Sequence, residues 1–104
     1  MKNVILIGFM GAGKTTVGER YAKKHGLPMV DTDWLIEERA GMTISEIFAQ
    51  KGEDEFRRTE TAVLQTLLSD TQEKVISVGG GLPLREENRR LLKQLGTVIY
   101  LEVN

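Results

Sequence analysis

Gly8-Phe9-Met10-Gly11-Ala12-Gly13-Lys14-Thr15 matches the pattern G-x-x-x-x-G-K-[ST] at every fixed position. Gly8, Gly11 and Gly13 let the backbone turn tightly and approach a phosphate with no Cβ in the way. The freed N–H groups point inward and form an anion-binding nest. A helix starting near Lys14 adds its positive N-terminal end. Lys14 brings a mobile charge for the β- and γ-phosphates, and Thr15 brings a hydroxyl for Mg²⁺. Gly11, Ala12, Gly13, Lys14, Thr15 and Thr16 are therefore the candidate nucleotide-binding residues.

The flanks supply the context such a loop needs, a strand before and a helix after. Val4-Ile5-Leu6-Ile7 is a continuous apolar run, as in a buried parallel strand. Val17, Tyr21 and Ala22 recur at helical spacing. Lys23-Lys24-His25-Gly26 closes that helix with cations and then a glycine. His25, the single histidine, suits the negative helix end and carries no chemistry in this reading.

Composition narrows the classes. The 104 residues predict one domain with a small core. A 40% hydrophobic content predicts a globular chain. With 14 basic and 15 acidic side chains the net charge is −1, so no global field favours nucleic acid or membrane. The lack of cysteine excludes disulfides, thiolate metal sites and cysteine nucleophiles. No apolar run approaches a membrane span, and the N-terminal residues do not read as a signal peptide. A cytoplasmic protein is expected.

Further along, Lys2–Ile7 reads as the first strand, Lys14–His25 as the first helix and Met29–Asp31 as the second strand. Trp34–Ala40 is a short helix, with Trp34 as packing. Thr43 and Glu46 form a capping box for a helix over Ile44–Gln50. A longer helix follows Gly52, with Phe56, Val63, Leu64, Leu67 and Leu68 on one side. Val75–Val78 is a third strand, Glu86–Leu95 a helix with Arg85, Arg89 and Arg90 on a solvated face, and Thr97–Leu101 a fourth strand. Alternating strands and helices predict a parallel sheet with right-handed crossovers and ligands beyond the carboxyl ends of the strands. The loops Gly8–Thr15, Asp31–Asp33 and Gly79–Gly81 should converge there.

Each loop carries chemistry. Asp31 and Asp33, two apart in extended chain, can face one site as metal contact, proton acceptor or hydroxyl ligand. The alternative is that Asp33 caps the next helix and Asp31 merely ends a strand. Arg57 and Glu60 are spaced to pair, which would fix a guanidinium for a carboxylate; a solvated charged face is the plainer option. Gly79, Gly80 and Gly81 are costly in entropy and suit close approach of a ligand, or else a flexible turn. The third strand has no carboxylate where many phosphate-loop enzymes hold Mg²⁺; Ser77 is nearest, a neutral ligand acting through water.

These four motifs, in this order and spacing, resemble shikimate kinase over essentially the whole chain. The resemblance implies a three-layer P-loop NTPase fold, with a parallel sheet in the order 2-3-1-4-5 and helices on both faces. It implies Mg²⁺-dependent transfer of the ATP γ-phosphoryl group to the 3-hydroxyl of shikimate, in the route to aromatic amino acids. On this resemblance Lys14, Asp31 and Asp33 are catalytic. Thr15 binds the metal directly, and Asp31 and Ser77 reach it through water. Asp33 binds shikimate hydroxyls, and Arg57, oriented by Glu60, binds the carboxylate. Gly79, Gly80 and Gly81 line the acceptor site with Phe48 and Phe56 as apolar walls.

The resemblance also implies that residues 1–104 form one kinase domain with strand order 2-3-1-4, lacking the family's arginine-bearing lid, fifth strand and final helix. On that reading the chain by itself transfers phosphate poorly, because the lid supplies charge stabilisation and excludes water. The family is usually monomeric, and an exposed edge on strand four would invite self-association. Two other readings are a nucleotide-binding fragment without catalysis and a gluconate-kinase-like sugar-acid kinase. Arg57 and the glycine triplet argue against the second.

Overall fold

The computed structural model describes residues 3–8, 14–79 and 81–101, without the side chains of Lys14, Thr15 and Leu101. Its elements are β1 (Asn3–Gly8), α1 (Lys14–His25), β2 (Met29–Asp31), α2 (Thr32–Ala40), α3 (Ile44–Ser69), β3 (Val75–Ser77), a 3₁₀ turn (Leu82–Leu84), α4 (Glu86–Leu95) and β4 (Gly96–Leu101). The strands form one four-stranded sheet in the order β2-β3-β1-β4, the expected 2-3-1-4, with every pairing parallel.

Alternation along β1 sorts the helices between the two faces. Ile5 and Ile7 join Ile76 and Val78 in a cluster with Ile36 of α2, Phe56 and Leu64 of α3, and Leu92 and Leu95 of α4. Val4, Leu6 and Val75 turn the other way, onto Ala22 and Tyr21 of α1. Both faces are covered, so β1 is buried throughout and reads as an unbroken apolar run. Val17, expected with Tyr21 and Ala22, is 42% exposed and outside both clusters.

The helix boundaries follow local chemistry. The Thr43 and Glu46 capping box forms reciprocally, each side chain accepting the other's backbone N–H at 3.1 Å. At Gly52 the backbone takes φ 85° and ψ 172°, so α3 is two helices meeting at a kink, the break the glycine predicted.

Two expectations need correction. Helix α2 begins at Thr32, not Trp34, because the Asp31 side chain accepts the Asp33 N–H at 2.8 Å and nucleates the first turn. Asp31 is thus the cap, and Asp33 lies in a helical turn rather than in extended chain. Trp34 is 59% exposed and does not fill the core. Arg89 is exposed, as expected, and its guanidinium also donates to the Pro83 and Leu84 carbonyls at 2.8 and 3.0 Å, closing the 3₁₀ turn onto α4.

The lower edge of the sheet is tied by Asn3, which accepts the Lys74 N–H at 3.0 Å and donates to the Leu95 carbonyl at 3.1 Å. No described helix is long and apolar enough to cross a membrane.

Candidate functional site

The parallel register brings Asp31 of β2 beside Ser77 of β3, and Ser77 beside Leu6 of β1. Two candidate residues from distant parts of the chain therefore sit together near the carboxyl ends of adjacent strands. Ser77 is buried and Asp31 half-buried, with Oδ1 of Asp31 engaged by the helix cap.

One step beyond, the Thr32 hydroxyl, fully buried, accepts the Gly79 N–H at 3.1 Å and ties the start of α2 to the glycine loop. Gly79 then lies against Asp33: a Cβ added there would stand 2.7 Å from Asp33 Oδ1. The absence of a side chain at Gly79 makes room for that carboxylate. Asp33 and Gly79 are 46 residues apart in number and in contact in space, so two of the three expected loops meet.

Gly81 repeats the device with an opposite charge. A Cβ there would stand 2.8 Å from Nη1 of Arg57. That guanidinium is held from three sides. Its Nη1 donates to Glu60 Oε1 at 2.9 Å, its carbon lies 5.2 Å from the centre of the Phe56 ring, and Gly81 lies beneath it. The Phe48 ring stacks at a tilt on Phe56, with centroids 4.7 Å apart; Phe56 is buried and Phe48 is 39% exposed.

Glu60 is almost fully buried, and burial pushes its carboxyl above the ordinary 4.5. The hydrogen bond and charge of Arg57 oppose that rise, while the nearby negative charge of Asp33 adds to it. The same field reaches Arg85, which lowers it. Asp33, Arg57, Glu60 and Arg85 thus share one electrostatic neighbourhood. A cavity of about 600 Å³ opens there, lined by Glu53, Asp54, Arg57 and Arg58 of α3 with Gly81, Leu84 and Arg85. Arg85 is exposed, as expected of a solvated face, and it also lines this cavity. Its position just before α4 gave no periodic signal. Asp33 and Phe48 lie outside the cavity wall.

Gly11, Ala12, Gly13 and Gly80 lie outside the described residues, as do the side chains of Lys14 and Thr15. The described flanks keep the predicted arrangement: β1 ends at Gly8 and α1 begins at Lys14, with Thr16 exposed in its first turn. Among the described residues no group of three or more His, Cys, Asp or Glu side chains could hold a metal ion.

The site therefore offers a carboxylate and a guanidinium, each pressed onto a glycine, two residues apart on one loop. The sheet order and the strand-to-helix joint before them define the class, an α/β phosphate-loop fold. The shikimate kinase family model matches residues 10–104. The chain belongs to the shikimate kinase family. It is 50% identical to a shikimate kinase of Alkaliphilus oremlandii, over 98% of this chain and 60% of the relative. It is also 50% identical to one of Geobacillus thermodenitrificans, over 99% of this chain and 55% of the relative. The chain thus spans little more than half the length of the curated relatives it matches.

Among solved structures, shikimate kinase from Acinetobacter baumannii in complex with shikimate superposes with TM-score 0.92 at 44% identity, covering 100% of this chain and 57% of the other. The Bacteroides thetaiotaomicron shikimate kinase gives 0.91 at 39%, covering 99% and 58%. A gluconokinase from Sinorhizobium meliloti gives 0.57 at 19%, covering 99% and 57%, a likeness of fold alone.

Proposed function

We propose that this chain carries the acceptor- and phosphate-binding part of a shikimate kinase, transferring the γ-phosphoryl group of ATP to the 3-hydroxyl of shikimate. One observation carries the reading: Arg57, braced by Glu60, is seated on Gly81 while Asp33 is seated on Gly79. A small polyol bearing a carboxylate needs that pair. The planar guanidinium takes the carboxylate bidentately, and the Asp33 carboxylate accepts from the ring hydroxyls. Phe48 and Phe56 offer the carbon ring an apolar flank, and Gly79, Gly80 and Gly81 let backbone approach it.

In the reaction the acceptor oxygen bonds to Pγ as the bond from Pγ to the β–γ bridging oxygen breaks, releasing ADP. Asp33 is the group to receive the hydroxyl proton. Lys14, with the amides of residues 11–16, holds the phosphates and the charge that moves between them. For Mg²⁺ the oxygen donors fit: the Thr15 hydroxyl would bind it directly, and Asp31 and Ser77, neighbours in register, would reach it through water. Bound there, the ion would neutralise charge on the β- and γ-phosphates. We read residues 1–104 as one kinase domain and place it in the cytoplasm.

Calorimetric titration of the chain with shikimate and with gluconate, followed by ADP-release assays with ATP and Mg²⁺, tests the reading. Saturable shikimate binding that Arg57→Ala abolishes is expected. Equal binding of gluconate, or shikimate binding indifferent to Arg57, overturns it.

A further inference from the structure

Asn88 and Thr61 take no part in the chemistry above, yet both are buried polar side chains, at 0% and 8% exposure. They join the ends of the acceptor site. The Thr61 hydroxyl donates to Asn88 Oδ1 at 2.7 Å and lies 3.2 Å from the Arg57 carbonyl, one turn back along α3. Asn88 Nδ2 donates to the Leu82 carbonyl at 3.0 Å. A carbonyl can only accept, so the Asn88 amide has one orientation: nitrogen toward Leu82, oxygen toward Thr61. Leu82 is fully buried and follows Gly81 directly.

Two hydrogen bonds therefore run from Thr61, one turn along α3 from Arg57, through Asn88 to Leu82, the neighbour of the Gly81 on which the Arg57 guanidinium rests. α3 and α4 are separate helices, and this is a directed polar tie between them where their neighbours are Leu64 and Leu92. Apolar contacts alone would let the helices slide by fractions of an ångström; a buried hydrogen-bonded tie is directional and resists that.

We propose that Asn88, relayed through Thr61, is a positioning residue that sets the height of the Arg57 guanidinium over Gly81 and so the affinity for a carboxylated acceptor. The inference rests on the acceptor site proposed above. It predicts a split effect: acceptor affinity depends on this tie and nucleotide affinity does not.

The test uses three variants of the chain, each checked for folding by circular dichroism. Asn88→Asp keeps the acceptor for Thr61 but has no N–H for Leu82. Thr61→Val removes the hydroxyl at nearly constant shape, and Thr61→Ser restores it. Asn88→Asp and Thr61→Val should weaken shikimate binding about tenfold, with ATP affinity within about twofold. Thr61→Ser should bind like the parent. Parallel loss of both affinities, or Thr61→Val equal to the parent, overturns the proposal. Should Asn88→Asp fail to fold, the Thr61 pair decides alone.

Nitrogen–proton correlation spectra give a second readout that needs no acceptor. Thr61→Val should shift the Arg57 Nε–H and Gly81 amide signals, and shifts confined to residues 61, 82 and 88 overturn the relay. A parent chain that ignores shikimate, beside an Arg57 signal that does respond, defeats the acceptor assignment and leaves the relay standing.

Discussion

Gly81 and Arg57 fit each other as socket and plug: a methyl group on Gly81 would lie 2.8 Å from Nη1 and 3.0 Å from Nη2 of the guanidinium. The obstructed atoms are the far end of a flexible side chain, so a substitution displaces the arginine rather than the backbone. Gly81→Ala should therefore leave the fold within about 1 kcal/mol of the parent while weakening acceptor binding about tenfold. Thermal melts and shikimate titrations on the same sample separate the two effects. A large loss of stability with unchanged affinity would contradict this.

Arg57 itself admits no conservative replacement. Its planar fork meets Glu60 at one nitrogen and covers Phe56, so the remaining donors point in fixed directions. Lysine keeps the charge but loses the fork and the stacking. Arg57→Lys should cost about 1.5–3 kcal/mol of acceptor binding, roughly 10- to 100-fold. Arg57→Ala should cost more and also leave Glu60 buried without its cation. Titration calorimetry with ATP as the control ligand measures both.

How much of this was legible in the sequence depends on the range of the forces involved. β1 was legible because a strand covered on both faces must be apolar at every position. The kink in α3 was legible because a φ of 85° at Gly52 is strongly disfavoured in any other residue. The start of α2 was not, because Asp31 could end a strand or cap a helix and only the folded backbone chooses. Trp34 misled because large apolar side chains do lie on surfaces, and exposure carries no local signal. The three-residue 3₁₀ turn is too short for periodicity. In the site, residue types and their order were legible from the motifs. The steric mating of Asp33 with Gly79 and Arg57 with Gly81 was not, since it joins segments far apart in the chain.

Glu60 makes both stability and binding depend on pH. Its carboxyl sits above 4.5 in the folded chain, first because of burial. A carboxyl raised on folding favours the native state while protonated in both states. Stability is thus greatest below the unfolded value and declines as pH rises from 4.5 through the raised folded value. Binding runs the other way, because the ionised carboxylate braces Arg57. Acceptor affinity should fall as pH drops through the same window, with ATP affinity as the control. Glu60→Gln keeps a carbonyl for Arg57 but cannot ionise, so both dependences should flatten there. Denaturant midpoints and shikimate titrations at intervals upward from pH 4.5 provide the check; an unchanged profile in Glu60→Gln would assign the dependence elsewhere.

Gly96 tests the sheet rather than the site. It pairs in register with Asn3 at the start of β4, and a Cβ on it would lie 2.1 Å from the Asn3 carbonyl oxygen and 2.7 Å from its nitrogen. Both obstacles are backbone, and the same Asn3 side chain already holds the Lys74 amide and the Leu95 carbonyl. Relief therefore requires β1 and β4 to separate at their first rung and α4 to shift with them. Gly96→Ala should cost about 1–3 kcal/mol or more, lowering the melting temperature by roughly 4–8 °C per kcal/mol for a domain of this size. The Gly81→Ala variant, whose added methyl meets only a side-chain tip, is the matched control. If the two variants melt together, backbone obstruction at Gly96 is not what keeps that position free of a side chain.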